Sequence, residues 1–424
     1  MKRIALLPLL LLAACDPATT PAATTATAVT ATPTPAPTAT DMPTTTPTTP
    51  GKTSANVAEA SNAFGFDLYQ RLRDEPGNLA LSPMSLSLAL SMTYAGAEKE
   101  TATQMQQVLR LPADVHEGWK AQLASLAESQ EVTLEVVNRL YGEQTYDFVP
   151  SFLELNAKAY GAPLEKVDFI RGAEKARKTI NTWVGTKTQG LIDELIPGGG
   201  VDSLTRLALV NALYFKGQWA TPFDDKVTAT ATFNAPTGAV DVPMMAQTET
   251  MGFAEVDGTK VAELAYDGGR FATVFVLPSE ADGLKAIEAK LDAAMLDRWT
   301  TALKKQRIDM KLPRFDVEPD KALALKPHLI GMGMVSAFDA AQADFGGMSP
   351  GDDLMVDQVF HKAVVKMNES GTEAAAATAV VMKLRGMPPP PAGTFHADRP
   401  FLFFLRDTKT GMVLFAGRVE NPTS

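Results

Sequence analysis

The chain has 424 residues, of which 45% are apolar, and 39 Lys plus Arg against 49 Asp plus Glu leave a net charge of −10. An acidic chain without a basic stripe is a poor partner for nucleic acid. Cys15 is the only cysteine, which excludes an intramolecular disulfide and a thiolate zinc cage.

From the amino end, Met1-Lys2-Arg3, an apolar run over 4–12 and Ala13-Ala14-Cys15 have the order of an export signal, too short to span a bilayer. Leu12-Ala13-Ala14-Cys15 resembles the lipobox of bacterial lipoproteins, in which the cysteine becomes the lipidated first residue. The expectation is a signal peptide over 1–14 and a lipid on Cys15 that ties an exported domain to a bacterial membrane, in the periplasm or at the cell surface. Loss of Lys2 and Arg3 takes the charge from −10 to −12. Residues 15–54 are almost wholly Thr, Pro and Ala. Such a stretch buries too little apolar surface to offset its chain entropy and reads as an extended tether. Residues 55–424 contain no second linker, so one large domain, or two intimately packed lobes, follows.

Within that domain, Val57, Ala60, Phe64, Leu68 and Leu72 recur at helical spacing and predict a helix over 55–73. Asn78 to Pro83 reads as a strand entering a turn, with Ser82 or Ser85 capping an apolar helix to about Tyr94. A helix is expected over 99–110, a buried strand over 132–141, a helix over 150–160 ending at Gly161, and a longer helix over 172–187. Apolar strands follow over 205–215 and 271–277, a helix over 283–298, and strands over 308–313 and 315–317. The runs 401–405 and 412–419 flank Asp407-Thr-Lys-Thr-Gly411 as a hairpin. Helices dominate the front and strands the back, which places the chain in the α+β class.

The stretch 369–391 has two readings. As a strand, Thr372, Ala374, Ala376, Thr378, Val380, Met382 and Leu384 share one uncharged face. Gly371, Glu373, Ala375, Ala377, Ala379, Val381, Lys383 and Arg385 share the other, which holds every charge. That pattern suits a strand that slides into a sheet with one face buried. The flanking Gly371 and the prolines over 388–391 are marks of an exposed loop. As a helix, the alanines are the best formers and Ser370-x-x-Glu373 matches a capping box, giving a surface helix over about 373–385. The residues alone leave both open, and both hold if the segment changes state.

Several ordered motifs then carry a resemblance. They are Asn78-Leu-Ala-Leu-Ser82-Pro83; Asn181-Thr-Trp183-x5-Gln189-Gly190-x-Ile192; Leu209-Val210-Asn211-Ala212-Leu-Tyr214-Phe215-Lys216-Gly217-x-Trp219-x3-Phe223; Val359-Phe360-His361-Lys362-Ala363; and Phe395-His-Ala-Asp398-Arg399-Pro400-Phe401-Leu402-Phe403-Phe404-Leu405. From about residue 55 to its end the chain resembles a serpin, here of a bacterial lipoprotein type. The resemblance implies helices packed on a large mixed central sheet plus two smaller sheets, with an exposed reactive-centre loop near the carboxyl end. It implies a monomeric suicide-substrate inhibitor of serine proteases, with no cofactor and no enzymatic turnover of its own. A protease cuts the loop, the hinge inserts as a new central strand, and the attached protease is dragged away and distorted.

The family places the cut fourteen residues beyond the hinge glycine, which puts it at Arg385–Gly386. A basic residue there implies a trypsin-like protease, whose specificity pocket holds a carboxylate; Lys383 offers a second cut. Glu369, Gly371, Thr372, Glu373, Ala374, Ala375, Ala376, Ala377 and Thr378 correspond to the hinge. Ser82, Ser85, Asn211 and His361 correspond to the polar cluster beneath the sheet opening, the shutter. Trp219, Arg314 and Glu369 correspond to the charged group at its top, the breach. The uncharged face through Leu384 favours a working inhibitor over a non-inhibitory relative that serves as binding protein or chaperone.

One rival chemistry is legible. Gly347-Met348-Ser349-Pro350-Gly351 matches G-x-S-x-G, the nucleophile elbow of hydrolases. Pro350 has no N–H to lend to an oxyanion, and the small polar residues over 339–345 do not read as the strand that should precede the elbow. His116, His328 and His396 have no metal-ligand spacing.

Overall fold

The computed structural model describes residues 53–351, 354–373 and 389–423. Cys15, the tether as far as Lys52, Ala374, Ala375, Ala376, Ala377, Thr378, Lys383, Arg385 and Gly386 lie outside them, while Thr53 and Ser54, expected in the tether, belong to the first helix.

Helix α1 (Thr53–Leu72) buries Val57, Phe64, Leu68 and Leu72, as their spacing predicts. Strand β1 (Leu79–Leu81) feeds α2 (Pro83–Tyr94). Of the two candidate caps, Ser82 is the one used: its hydroxyl accepts the Ser85 N–H, and Pro83 takes the first helical position. Then come α3 (Lys99–Val108), α4 (Val115–Ala127), β2 (Thr133–Glu143) and α5 (Pro150–Tyr160). Gly161 closes α5 in the left-handed region, at φ 61° and ψ 28°. Strand β3 (Leu164–Val167) precedes α6 (Phe169–Lys187). The Asp168 side chain caps α6, so it begins before residue 172, and Gly172 marks a kink inside it.

Long strands fill the middle: β4 (Leu207–Gln218), β5 (Ala229–Ala235), β6 (Gly238–Val256), β7 (Thr259–Ala265) and β8 (Phe271–Pro278). The helix expected over 283–298 is broken into α7 (Leu284–Glu288) and α8 (Ala293–Ala302). The break has a local cause, because the Asp292 carboxylate accepts the Met295 N–H and starts a second helix there. The remaining elements are β9 (Lys304–Pro313), β10 (Phe315–Val317), β11 (Leu323–Ala324), α9 (Lys326–Gly331), β12 (Phe360–His361), β13 (Val365–Asn368), β14 (Gly371–Thr372), β15 (Gly393–His396), β16 (Phe401–Asp407) and β17 (Val413–Val419).

The α+β class holds. One sheet runs β10-β13-β14-β4-β2-β3, with β11 and β12 paired separately. The other runs β1-β17-β16-β8-β7-β6-β9-β15, with β5 also on β6. The two smaller sheets are thus hydrogen-bonded into one run, because the 19 residues of β6 pair with β5 at one end, with β9 along the middle and with β7 at the other end. Most ladders are antiparallel, while β2–β3 and β15–β9 are parallel. Strands β8 and β17 are buried at every position, the continuous apolar pattern of strands covered on both faces. Phe401 and Phe403 of β16 lie 5.6 and 5.7 Å from the Phe315 ring, and Phe404 lies 5.8 Å from Phe66. The carboxyl-terminal hairpin therefore joins the sheets to α1.

At Gly417 the backbones of β1 and β17 leave no room for a side chain. A Cβ there would lie 2.1 Å from the Leu79 carbonyl oxygen and 2.6 Å from the Phe403 ring. Backbone and a packed ring cannot give way cheaply, so Gly417→Ala is expected to cost at least about 1–3 kcal/mol. A lowered unfolding midpoint checks this; an unchanged one contradicts the packing.

Candidate functional site

The six-stranded sheet is parted between β13 and β4. Among the described residues these strands are joined in the ladder only through β14, whose Thr372 and Gly371 pair with Met367 and Asn368 on one side and with Gly217 and Gln218 on the other. Gly371 is required here. Its φ is 149°, and an added Cβ would stand 2.0 Å from the Gly217 carbonyl oxygen. Thr372 is buried, and its hydroxyl lies 2.5 Å from the Tyr266 hydroxyl, which also meets Thr273. At Glu373 the backbone turns to φ 53°, with its N–H donated to the Lys366 carbonyl.

The Ser370–Glu373 capping box is not formed. Asn368 Oδ1 accepts both the Ser370 and Gly371 N–H groups, and the two residues that would open the helix are extended between β13 and β4. The rest of the proposed helix or strand falls outside the described residues.

Glu369, Arg314 and Trp219 meet at the top of this gap. Glu369 is only 4% exposed, and Arg314 grips it in two-pronged fashion at 2.7 and 3.1 Å. The Thr228 hydroxyl donates to the same carboxylate at 2.8 Å. Burial works to raise the Glu369 pKa, but the Arg314 and Thr228 hydrogen bonds outweigh it and hold the carboxyl below its ordinary range. Trp219 donates its indole N–H to the Asn368 carbonyl and stacks on Tyr266 at 4.5 Å. Thr228, Tyr266, Thr273 and Asn368 belong to the same group but carry no motif, since their only signal is spatial.

Ser82, Ser85, Asn211 and His361 meet lower down, around a cavity of about 60 Å³ bordered by α2, β4 and β12. His361 Nε2 accepts the Ser82 N–H at 3.0 Å, which fixes the ring neutral with its proton on Nδ1. The Ser85 hydroxyl donates to Asn211 Oδ1. Asn211 Nδ2 donates to Asn138 Oδ1 at 2.6 Å, and Asn138 Nδ2 to the Tyr160 carbonyl at 2.8 Å. Asn138 has no sequence signal, because β2 carries exposed Thr133 and Glu135 as well; the buried strand expected over 132–141 is buried continuously only from Leu140 onward. The two groups are strung along β4, with Asn211 about 23 Å from Gln218 at strand rise.

Ser349 of the G-x-S-x-G match is 3% exposed, and its hydroxyl accepts the Gly351 N–H. Gly347 packs against the Gly96 backbone, and the Met348 carbonyl accepts the Val149 N–H ahead of α5. The segment is a packed turn, and His361 is engaged with Ser82, so the hydrolase reading has no supporting geometry among the described residues.

Comparison with known proteins bears on this arrangement. The family model described as Serpin (serine protease inhibitor) matches residues 59–422. The chain is 41% identical to Serpin B8 of Homo sapiens over 376 residues, which cover 87% of this chain and 100% of that protein. It is 39% identical to the leukocyte elastase inhibitor of Bos taurus, over 86% of this chain and 99% of that one. The solved structure of uncleaved ovalbumin superposes with a TM-score of 0.76 at 30% identity, covering 87% of this chain and 100% of ovalbumin.

A pH dependence follows from His361. Burial lowers its pKa from 6.5 to about 4. Between those values the unfolded chain binds a proton that the folded chain refuses. The domain should therefore lose up to about 3 kcal/mol from this group as pH falls from about 6.5 to about 4. In His361→Gln, which keeps an acceptor for the Ser82 N–H, unfolding midpoints at pH 7 and pH 5 should differ less than in the parent. An equal difference would remove His361 from the account.

Proposed function

Because the chain belongs to the serpin family, we propose that it is a suicide-substrate inhibitor of trypsin-like serine proteases, cut between Arg385 and Gly386. The observation that carries this reading is β14: Gly371 and Thr372 already occupy the first rungs of a gap between β13 and β4. After cleavage the following residues continue that strand. Each new ladder hydrogen bond contributes about 0.5–1.5 kcal/mol, and Val380, Met382 and Leu384 contribute about 1.5–3 kcal/mol each on burial. Admitting the strand moves β4 and β2 aside by about 4.8 Å, which requires the Ser82–His361 and Arg314–Glu369 contacts to yield and re-form.

The relatives named leukocyte elastase inhibitor carry elastase in their names. Arg385 supports a different specificity here, since a guanidinium suits a primary pocket that ends in a carboxylate. We propose further that residues 1–14 are an export signal and that a lipid on Cys15 anchors a monomeric domain to a bacterial membrane through the tether 15–54. The support is the Leu12-Ala13-Ala14-Cys15 motif and the composition of the tether.

The test is a short incubation of residues 55–424 with slightly substoichiometric trypsin. The expected product is a denaturation-stable species near the sum of the two masses, with release of a fragment that begins at Gly386. Clean cleavage that leaves trypsin active would overturn the inhibitory reading. Thr372→Arg places a charge where the Tyr266 contact is buried, so this variant should be cut at the same bond without trapping the protease; continued trapping would count against strand insertion.

A further inference from the structure

The segment that follows the proposed cut is tied to the larger sheet at several points. Strand β15 runs parallel to β9, with Gly393 beside Ile308 and His396 beside Lys311. Lys260 of β7 donates to the Thr394 carbonyl at 2.9 Å and to its hydroxyl at 3.1 Å, and His396 Nε2 lies 2.9 Å from Asp309 Oδ2. Ahead of the strand, the Ala392 N–H donates to the Arg307 carbonyl at 2.7 Å. The ladder cannot continue past that point through donors of its own, because Pro389, Pro390 and Pro391 have no N–H. Among the described residues a side chain holds this stretch instead: Arg307 Nη1 donates to the Pro389 carbonyl at 2.8 Å. Arg307 therefore takes hold twice, by its backbone at Ala392 and by its guanidinium at Pro389.

The two sides of the proposed bond are tethered unequally. On the amino side, Glu373 still donates its N–H to the Lys366 carbonyl of the smaller sheet, and residues 374–385 lie between that point and the bond. On the carboxyl side only residues 386–388 separate the bond from Pro389. Three residues reach at most about 11 Å, and twelve reach about 40 Å. The short side thus limits where the bond can stand, and the long side is slack. Consecutive proline rings, each with φ fixed near −65°, stiffen the chain where the short side is held.

We propose that Arg307 is a positioning residue for the inhibitory reaction: its hold on Pro389 sets the place and direction in which Arg385–Gly386 meets the protease. The role rests on the cut at that bond. The guanidinium touches no reacting atom and acts through the Pro389 carbonyl. With the hold lost, three residues and a proline run swing from Ala392 instead, and fewer encounters present the bond in the alignment a protease accepts. A cut made far along the slack side, among the alanines, does not depend on this hold.

The experiment follows cleavage of the full chain by trypsin, read as the rate at which the fragment beginning at Gly386 appears. Arg307→Met keeps the apolar stem and removes the donor. It should slow that rate about three- to tenfold, the loss of one exposed charge-assisted hydrogen bond, with an unchanged unfolding midpoint. Arg307→Lys keeps a cationic donor and should recover most of the rate. Pancreatic elastase, which cuts after small apolar residues, gives the contrast: its cuts within 374–381 should proceed equally in all three proteins.

Equal trypsin rates in the parent and Arg307→Met, elastase slowed by the same factor as trypsin, or no recovery in Arg307→Lys would overturn the positioning role and leave the cut site in place. A trypsin fragment that begins at a residue other than Gly386 overturns the reading of the cut, and the role of Arg307 with it.

Discussion

The structure depends on one shared edge. Strand β4 pairs with β2 over ten residues, yet among the described residues its other edge meets only Gly371 and Thr372. Backbone N–H and C=O groups away from water need partners, and an unpaired edge is a template for another strand. The sheet is therefore unfinished at its centre, and the residues above and below the gap serve to keep it in that condition.

The two ends of the gap use different chemistry. At the top, Glu369 is buried while Arg314 keeps about half of its side chain in solvent. Removing Arg314 would strand a buried carboxylate, and the penalty for an unpaired buried charge far exceeds what such a pair contributes in place. At the bottom, every group from Asn138 through Asn211 and Ser85 to Ser82 and His361 is neutral. Neutral hydrogen bonds exchange partners at little net cost. A charged clamp beside a neutral zip suits a sheet that must hold and then part in sequence.

Much of this was legible in the chain, for reasons specific to each element. Phe64 and Leu68 announce α1 because a one-sided helix repeats its apolar residues, and the run through Phe403 announces β16 because a strand covered on both faces does not alternate. Strands β5, β6 and β7 have no counterpart in the sequence reading; in β5, Ala and Thr carry weak patterning and half of its positions face solvent. Helix α4 was missed because Gly118 and its polar neighbours dilute the signal of the fully buried Trp119. Ser82, Ser85, Asn211 and His361 were legible as a set only through family resemblance, because they lie up to 279 residues apart. Tyr266 and Thr228 had no local signature, as they act on the hinge through contacts that only the folded sheet creates.

The pairing of β1 with β17 joins Leu81 to Ala416, so one of the first strands made waits for one of the last. Loop closure over such a separation is slow, and its cost is met before any contact rewards it. The core around Phe401 and Phe403 cannot form until residues near the carboxyl end have left the ribosome. For nearly the whole of its synthesis this domain is a nascent chain without a centre, dependent on whatever keeps it from aggregating until the final hairpin arrives.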